Sequence, residues 1–458
     1  MSERKTAFPK GIPYIIGNEA AERYSFYGMK AIFVVFLTMF VSNAAGELDV
    51  FDETDAKFWL HLFIFSTYGL SLIGAFVSDV YWGKYKTIIS LSIIYCIGHF
   101  VLALIETKIG FFVGCSLIAI GAGGIKPCVS AHVGDQFDES NAHLIDKMYN
   151  WFYLSINVGA VIAYLSAEPL LRSEFLMSHD MNVALAFGLP GVLMVIATVV
   201  FWLGRKKFVH VPAAGWALYR KELFSWKGLK MLGKLAPIYI FLAVFWSLFD
   251  QTAGAWVLQA QSDLMIKTIN LGFTSIVVYP SQLGVMNAIF IVLFIPIFSY
   301  LVYPQLQKYI RLNYINKMTI GMVLAACSFA LIAWVQARMD QGIAMNISWQ
   351  ILAYVVLTAA EIFVSISSLE FSYTQAPKSL KSLILSFWLL AVAVGNLFTA
   401  LVNLFIKRAD GSLILEGAEY FWFFTAFMLF AAMLFYGLNR NYIEEYHIQD
   451  AQRGLEEA

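Results

Sequence analysis

Twelve predominantly apolar stretches, each long enough to cross a bilayer as a helix, recur along this chain and constrain its fold more than any other feature. A hydrocarbon core about 30 Å thick takes about 20 helical residues to cross. Inside it every backbone N–H and C=O must be paired within the protein, which a helix does within one segment. The stretches lie near 12–41, 56–80, 87–106, 109–133, 145–169, 182–203, 235–259, 281–302, 315–336, 347–374, 381–406 and 418–438. The expected fold is an all-α membrane protein of twelve transmembrane helices, embedded in a lipid bilayer. Charged residues make up only 14% of the chain, against about a quarter in soluble proteins, which argues against a soluble enzyme. The 31 basic and 31 acidic side chains cancel, leaving no basic stripe for a nucleic acid. Cys96, Cys115, Cys128 and Cys327 sit inside apolar runs without CxxC or metal-ligand spacing. They read as packing residues, and imply no metal, no cofactor and no oxidising compartment.

The connections are short except for 204–234, which divides the chain into two six-helix halves, 1–203 and 235–458. The opening MSERKTAFPKG is polar, and the first stretch is too long and too charged for a signal peptide. Counting Lys and Arg by side gives 21 on the side of both termini and 6 on the other. The positive-inside rule then makes both termini cytoplasmic, as an even number of spans requires. The long connection carries Trp216, Tyr219, Leu223, Phe224 and Trp226 among Arg220, Lys221, Lys227 and Lys230. It is either a short amphipathic helix lying in the interface or a tether whose charges only set topology.

Ionisable groups at membrane depth are costly and mark function by default. The first stretch holds Glu19, Glu22, Arg23 and Lys30 together with Tyr27. On a helix these positions share one face, because neighbours recur at i+3 and i+4. Such a stripe lines a wet cavity or pairs with other helices, and is too dense in charge for a packing seam. Lys126, in GAGGIKPCVS, either pairs with a carboxylate, Glu22 being the natural one, or snorkels to the interface. Pro127 bends that helix and frees a carbonyl. Glu370, in SSLEFSYTQAP, has no basic neighbour on its own helix; Glu361, nine residues earlier, belongs to the site or to a helix contact. Asp250 also lacks a local counterion. His61 could answer it, since histidine titrates nearest neutral pH, or could be a satisfied structural residue. Asp79, in GAFVSDVYWGKYK, suits a latch between bundles or a solvated turn, and His132, Asp135 and Asp138 read as interface residues.

The run Glu19-Ala20-Ala21-Glu22-Arg23-Tyr24-Ser25-Phe26-Tyr27-Gly28 resembles the ExxER motif of the proton-dependent oligopeptide transporters, a branch of the major facilitator superfamily. Four further segments agree in order along both halves: Gly74 to Gly98 around Asp79, Tyr149 to Gly159, Phe245 to Gln259 around Asp250, and Glu370 to Ser382 with Ala376-Pro377. The resemblance implies a major facilitator fold of two six-helix bundles that work by alternating access around a midplane site. It implies a proton-coupled symporter for di- and tripeptides, not an enzyme, acting as a monomer in the bacterial inner membrane. By the same resemblance Arg23 and Lys126 attract the peptide carboxylate and Glu370 receives the amino terminus. Glu19 and especially Glu22 take part in proton coupling with Arg23 and Lys126. Tyr27, Lys30, Tyr68, Asn157, Trp246 and Asn287 match positions lining the peptide cavity. His61 lies where members with such a histidine place it, which implies a proton-linked or gating role with Asp250, and Asp79, as the latch, is the expected gating residue. Phe26 departs from the tyrosine often found there, and Tyr24 from the usual phenylalanine. The connection 204–234 has no room for the two extra helices common in bacterial members.

The physical logic holds without the name. A zwitterionic peptide has separated opposite charges, and the chain offers cations from one half (Arg23, Lys126) and an anion from the other (Glu370). Binding carried by the peptide termini leaves aromatics to accept varied side chains. Coupling follows if protonation of Glu22 frees Lys126 or Arg23 for the substrate. A carrier of a non-peptide solute, a channel and a membrane-embedded enzyme are the rivals. The last lacks a paired-His spacing, a GxSxG elbow or a phosphate loop.

Overall fold

A computed structural model describes residues 8–138, 140–141, 144–172, 179–270, 272, 274–375, 381–408 and 410–439. Long helices dominate, as the apolar stretches require. In chain order they are α1 (Ile12–Met39), α2 (Glu53–Val77), α3 (Lys84–Leu104), α4 (Lys108–Gly134), α5 (Ile145–Leu171), α6 (His179–Leu203), α7 (Trp216–Leu223), α8 (Trp226–Phe249), α9 (Ala255–Gln261), α10 (Gly284–Ile297), α11 (Tyr303–Leu306), α12 (Tyr314–Asp340), α13 (Ser348–Glu361), α14 (Ser367–Gln375), α15 (Lys381–Phe405) and α16 (Ala418–Asn439). Among the described residues, eleven helical stretches are long and apolar enough to cross a membrane. The 28-residue α1 is as long as these, but its charged stripe keeps it outside that group.

Among the described residues, four of the expected spans are broken, each beside an ionisable or polar site residue or a proline; the second passes into a π-helical turn at Ser78–Trp82, around Asp79. The seventh is α8 and α9 joined by a 3₁₀ turn at Asp250–Ala253. The tenth is α13 and α14 joined by a π-helical turn at Ile362–Ile366, immediately after Glu361. The eighth carries a π turn at Phe298–Val302 after Pro296. Irregular backbone at membrane depth is tolerated where it is buried in protein or lines a cavity.

The stretch 204–234 is more structured than a tether. It contains the short helix α7, and α8 already begins at Trp226. Its first part is fixed to the first half: the Gln136 side chain donates to the Val209 carbonyl and accepts from the Val209 N–H, at 3.2 and 2.9 Å. Of the residues expected in this stretch, Tyr219, Leu223 and Lys227 have side chains outside the described set, while Trp216, Phe224 and Trp226 are exposed.

Two apolar cores organise the molecule, one built mainly from α1 to α6 and the other from α8 to α16. Tyr68 packs against both, and Ala253, Val257 and Leu258 of the second half join the first core. The halves meet chiefly where α2 runs along α15, with α1 against α9 and α5 against α10. Close helix approach needs glycine at the contact. A Cβ on Gly74 would lie 2.3 Å from the Gly124 Cα, so α2 and α4 touch backbone to backbone. A Cβ on Gly159 would lie 2.5 Å from the Ala20 carbonyl, which brings α5 against the charged turn of α1. Small strands Met265–Ile266 and Met345–Asn346 pair in parallel, and Thr268–Asn270 pairs antiparallel with Ser275–Val277, at the end of the molecule opposite the linker.

Candidate functional site

The stripe on α1 faces inward, as its charge demands. Glu19, Glu22 and Lys30 are buried, and Arg23 is largely so. Arg23 donates to Glu19 Oε1 at 2.6 Å and lies 3.2 Å from Glu22 Oε2. Lys126 comes from α4 to the other oxygen of Glu22 at 3.4 Å, a loose contact, with its ammonium 3.8 Å above the Phe26 ring. Phe26 therefore supplies a cation–π surface where a tyrosine would add a hydroxyl. Tyr68 of α2 lies 5.9 Å from the same ammonium, and Tyr27 packs 5.9 Å from Tyr164 of α5. Two carboxylates and two cations thus form one cluster within the first half.

A second cluster joins the halves. Lys30 donates to Asp250 Oδ1 at 2.5 Å, and both side chains are buried. The Asn396 amide of α15 donates to Asp250 Oδ2 at 2.7 Å, and its oxygen meets His61 Nδ1 at 2.8 Å. With the amide in that orientation His61 carries a proton on Nδ1, while its Nε2 has no hydrogen-bond partner among the described residues. His61 therefore does not touch Asp250; the counterion of Asp250 is Lys30, and Asn396 stands between histidine and aspartate. Lys30, expected at the peptide cavity, is committed to this cross-half pair.

The second half offers two glutamates at different depths. Glu361, at the end of α13, accepts from the Asn287 amide of α10 at 2.6 Å, and the same amide lies 3.3 Å from the Thr358 hydroxyl. It is within electrostatic range of Asp250 and Lys30, and of Tyr153 and Tyr164 across on α5. Glu370, two and a half turns on, is exposed, with Tyr303 of its own half in electrostatic range. The Ala376-Pro377 segment beyond it lies outside the described residues. Trp246 of α8 packs edge-on to Trp388 of α15 at 5.7 Å, and its indole N–H has no partner among the described residues. Asn157 turns back to the Tyr153 carbonyl at 2.9 Å. Asp79 holds the linker through its carbonyl, which accepts from Ala214 N–H at 2.7 Å. The lysine of its Gly-Lys turn, Lys84, pairs with Asp135 of the first half at 2.6 Å.

At the end opposite the linker, the halves are clamped twice. Glu168 of α5 is fully buried; it accepts from Arg172 and from the Ser281 backbone N–H, both at 2.7 Å, while the Gln282 amide donates to the Leu165 carbonyl at 3.0 Å. Lys407 bridges to Asp52 and Asp55. Behind that bridge lies a cavity of about 490 Å³ lined by Lys57, Gln259, Asp340 and Tyr420 among others. No group of three or more metal-ligating side chains is present among the described residues.

Sequence reasoning missed Asn396, Glu168 and the weight of Glu361. The first is a neutral amide and carries no charge signal. Glu361 did carry one: it falls at the middle of the stretch 347–374, the depth at which Arg23 and Asp250 lie in theirs.

Residues 85–221 and 221–423 match the profile described as PTR2, the POT family. Solute carrier family 15 member 2 of Homo sapiens is 34% identical over 380 residues, which is 73% of this chain and 50% of that protein. Peptide transporter family 1 of Drosophila melanogaster is 34% identical over 73% of this chain and 48% of its own length. The chain thus spans about half the length of these curated relatives. Among solved structures, an auto-inhibited POT family peptide transporter is 33% identical with a TM-score of 0.83, covering 97% of this chain and 99% of the other. The POT family transporter PepTSo is 32% identical with a TM-score of 0.80, covering 95% and 99%.

Proposed function

The chain belongs to the POT family, a family of transporters and not of enzymes, and from that premise we propose that it is a proton-coupled symporter for di- and tripeptides. The relatives named as peptide transporters support the substrate class. With α1 counted as a twelfth span, the halves become two six-helix bundles that rock about a central site, with both termini in the cytoplasm as the Lys and Arg asymmetry indicates. Residues 1–203 and 235–458 are the proposed moving units, with the linker fixed to the first.

The observation that carries this reading is the loose cluster on the first half facing a glutamate on the second. Glu22 holds Lys126 only at 3.4 Å, so a proton on Glu22 releases a buried cation that then needs an anion. A peptide carboxylate supplies it, with Arg23 beside Lys126 as the other cation. Glu361 suits the peptide amino group better than Glu370 does, because it is at mid-depth, half-buried and within electrostatic range of Tyr153 and Tyr164 of the first half. Tyr27, Tyr68, Asn157, Trp246 and Asn287 form the walls. Lys30, Asp250, Asn396 and His61 serve as the cross-half lock that must part when the bundles rock. Asp79 acts indirectly, by anchoring the linker at the inner end. Loss of the Glu22 proton restores the internal pair and expels the peptide's rival claim on Lys126.

Dialanine uptake into proteoliposomes, with and without an imposed inward proton gradient, tests the proposal. Accumulation above equilibrium only with the gradient is expected. Uptake that ignores the gradient removes the coupling, and no dialanine uptake at all removes the substrate.

A further inference from the structure

Behind the carboxylates of α1, inside the first bundle, lies a group of buried polar side chains that the transport site does not use. Asn18 is fully buried, and neither atom of its amide has a hydrogen-bond partner among the described residues. The hydroxyls of Ser92 and Tyr95 on α3 are in the same condition, and Glu22 Oε2 has only the 3.2 Å ion pair with Arg23. These groups lie on two helices that close on the same turn of α6: Ser25 of α1 donates to the Pro190 carbonyl at 2.8 Å, and a Cβ on Gly191 would lie 2.9 Å from the His99 Cβ of α3. Asn18 precedes Glu22 by one helical turn and Ser92 precedes Tyr95 by one turn, while Glu22, Arg23 and Glu19 are within electrostatic range of Tyr95. The approach is built into the packing: a Cβ on Gly121 of α4 would lie 2.6 Å from the Tyr95 Cβ, so α3 presses against the helix that carries Lys126. The Tyr95 ring is fixed by stacking on His99 at 5.1 Å.

Buried polar groups in folded proteins are paired with protein or with ordered water, and an internal water makes about three hydrogen bonds. Three side chains without a partner, of mixed donor and acceptor character and close to one ion-paired carboxylate, describe a polar site for water and not an apolar void. We propose that Asn18, Ser92 and Tyr95 form a water-binding pocket inside the amino-terminal bundle, through which Tyr95 positions a donor on the Glu22 carboxylate. The tyrosine hydroxyl donates to the water, the water donates to Glu22 Oε2, and Asn18 and Ser92 hold the water in place. Among the described residues, the charged and titratable groups facing Tyr95 and Glu22 are Glu19, Arg23 and Tyr27 of α1, Tyr68 of α2, Cys96 and His99 of α3 and Lys126 of α4; α6 has none between 183 and 203. A donor aimed at the ionised form favours that form. Tyr95 thereby sets the pH at which Glu22 accepts its proton, which rests on the proton-coupled reading above.

Two measurements on the full-length chain test this. Hydroxyl-radical footprinting by a brief X-ray pulse marks side chains beside bound water even when bulk solvent cannot reach them. Tyr95 is expected to be modified in the wild type and several-fold less in Asn18→Leu; an unmodified Tyr95, or equal modification in both, overturns the pocket. Tyr95→Phe keeps the ring on His99 and removes only the donor. Its gradient-driven dialanine uptake is expected to reach half-maximum at a pH higher by about half a unit or more, with counterflow exchange retained. A midpoint that coincides with the wild type overturns the positioning role, as does one moved to lower pH. Should Tyr95→Phe fail to fold, Asn18→Leu carries the same pH test, with the same outcomes. Wild-type uptake that is indifferent to the gradient would instead remove the proton-coupled reading, and the footprint would still decide the pocket.

Discussion

The two buried charge clusters use the same residue types to opposite ends. Lys30 and Asp250 meet at 2.5 Å across the halves, and the second oxygen of Asp250 is taken by Asn396, which in turn takes His61. Glu19, Glu22, Arg23 and Lys126 all lie within one half, and their link between helices is 3.4 Å long. A tight pair with both carboxylate oxygens bonded holds a conformation, because breaking it strands a buried charge. A slack cluster with surplus capacity can exchange partners. On the proposed reading the first is a lock and the second a switch, and substitutions should separate the two by what they abolish.

The largest effect belongs to the switch. Glu22→Gln is expected to end concentrative dialanine uptake while leaving counterflow exchange in place, since the neutral amide mimics the protonated carboxyl permanently. Concentrative uptake by this variant in the same proteoliposomes would mean the proton is held elsewhere. Asp250→Asn should follow. It leaves Lys30 buried without an anion, a loss of about 3–5 kcal/mol for a broken buried pair. The state closed at the end opposite the linker should lose population. A reporter cysteine at Leu413, which lines the cavity at that end, should then react with a polar maleimide at least tenfold faster, and an unchanged rate would deny the lock.

The next contrast lies within the second half. Glu361→Gln is expected to raise the KM for dialanine about tenfold or more, in keeping with about 1.5–3 kcal/mol for a hydrogen bond to a charged group. Glu370→Gln should change it less than about twofold. The reverse order in a single uptake series would return the peptide amino group to Glu370 and leave Glu361 as support for Asn287.

What could be read from the sequence divides along the same line. The α1 stripe was legible because it depends only on i+3 and i+4 spacing within one helix, and the lysine of α4 was conspicuous as a charge in an apolar run. The partner of Asp250 was not, since Lys30 is 220 positions away and nothing local distinguishes it from the rest of its stripe. Asn396 gave no signal because an amide in a membrane helix is unremarkable until its neighbours are known. Among the described residues, eleven of the twelve expected spans meet the length and apolarity a crossing helix needs. Boundaries shifted where polar residues break helices, as at Asp250–Ala253, or where a helix starts before its apolar run, as at Trp226.

The smallest effect is expected from the ion pair that looks most like a gate. Lys407 bridges Asp52 and Asp55 between the halves, but all three side chains are a third or more exposed, and exposed pairs contribute at most about 1 kcal/mol. Burial of Asp52 is the largest single influence and works against its ionised form, yet the Lys407 hydrogen bond and charge together with the hydrogen bonds from Asp55 outweigh it and hold the carboxyl below the usual range. The hydrogen bonds to Asp52 and Asp55 hold the Lys407 ammonium above its usual range. A lowered carboxyl contributes above its unfolded value of 3.8 and is lost only as pH falls through the lowered one. A raised ammonium contributes below 10.5 and is lost only as pH rises past that. Between about pH 5 and 8 the bridge is therefore fully charged and cannot sense protons. Lys407→Met should change the uptake rate less than about threefold and leave the pH midpoint of gradient-driven uptake where it was. A moved midpoint would show that the exposed bridge, not the buried switch, reads the proton gradient.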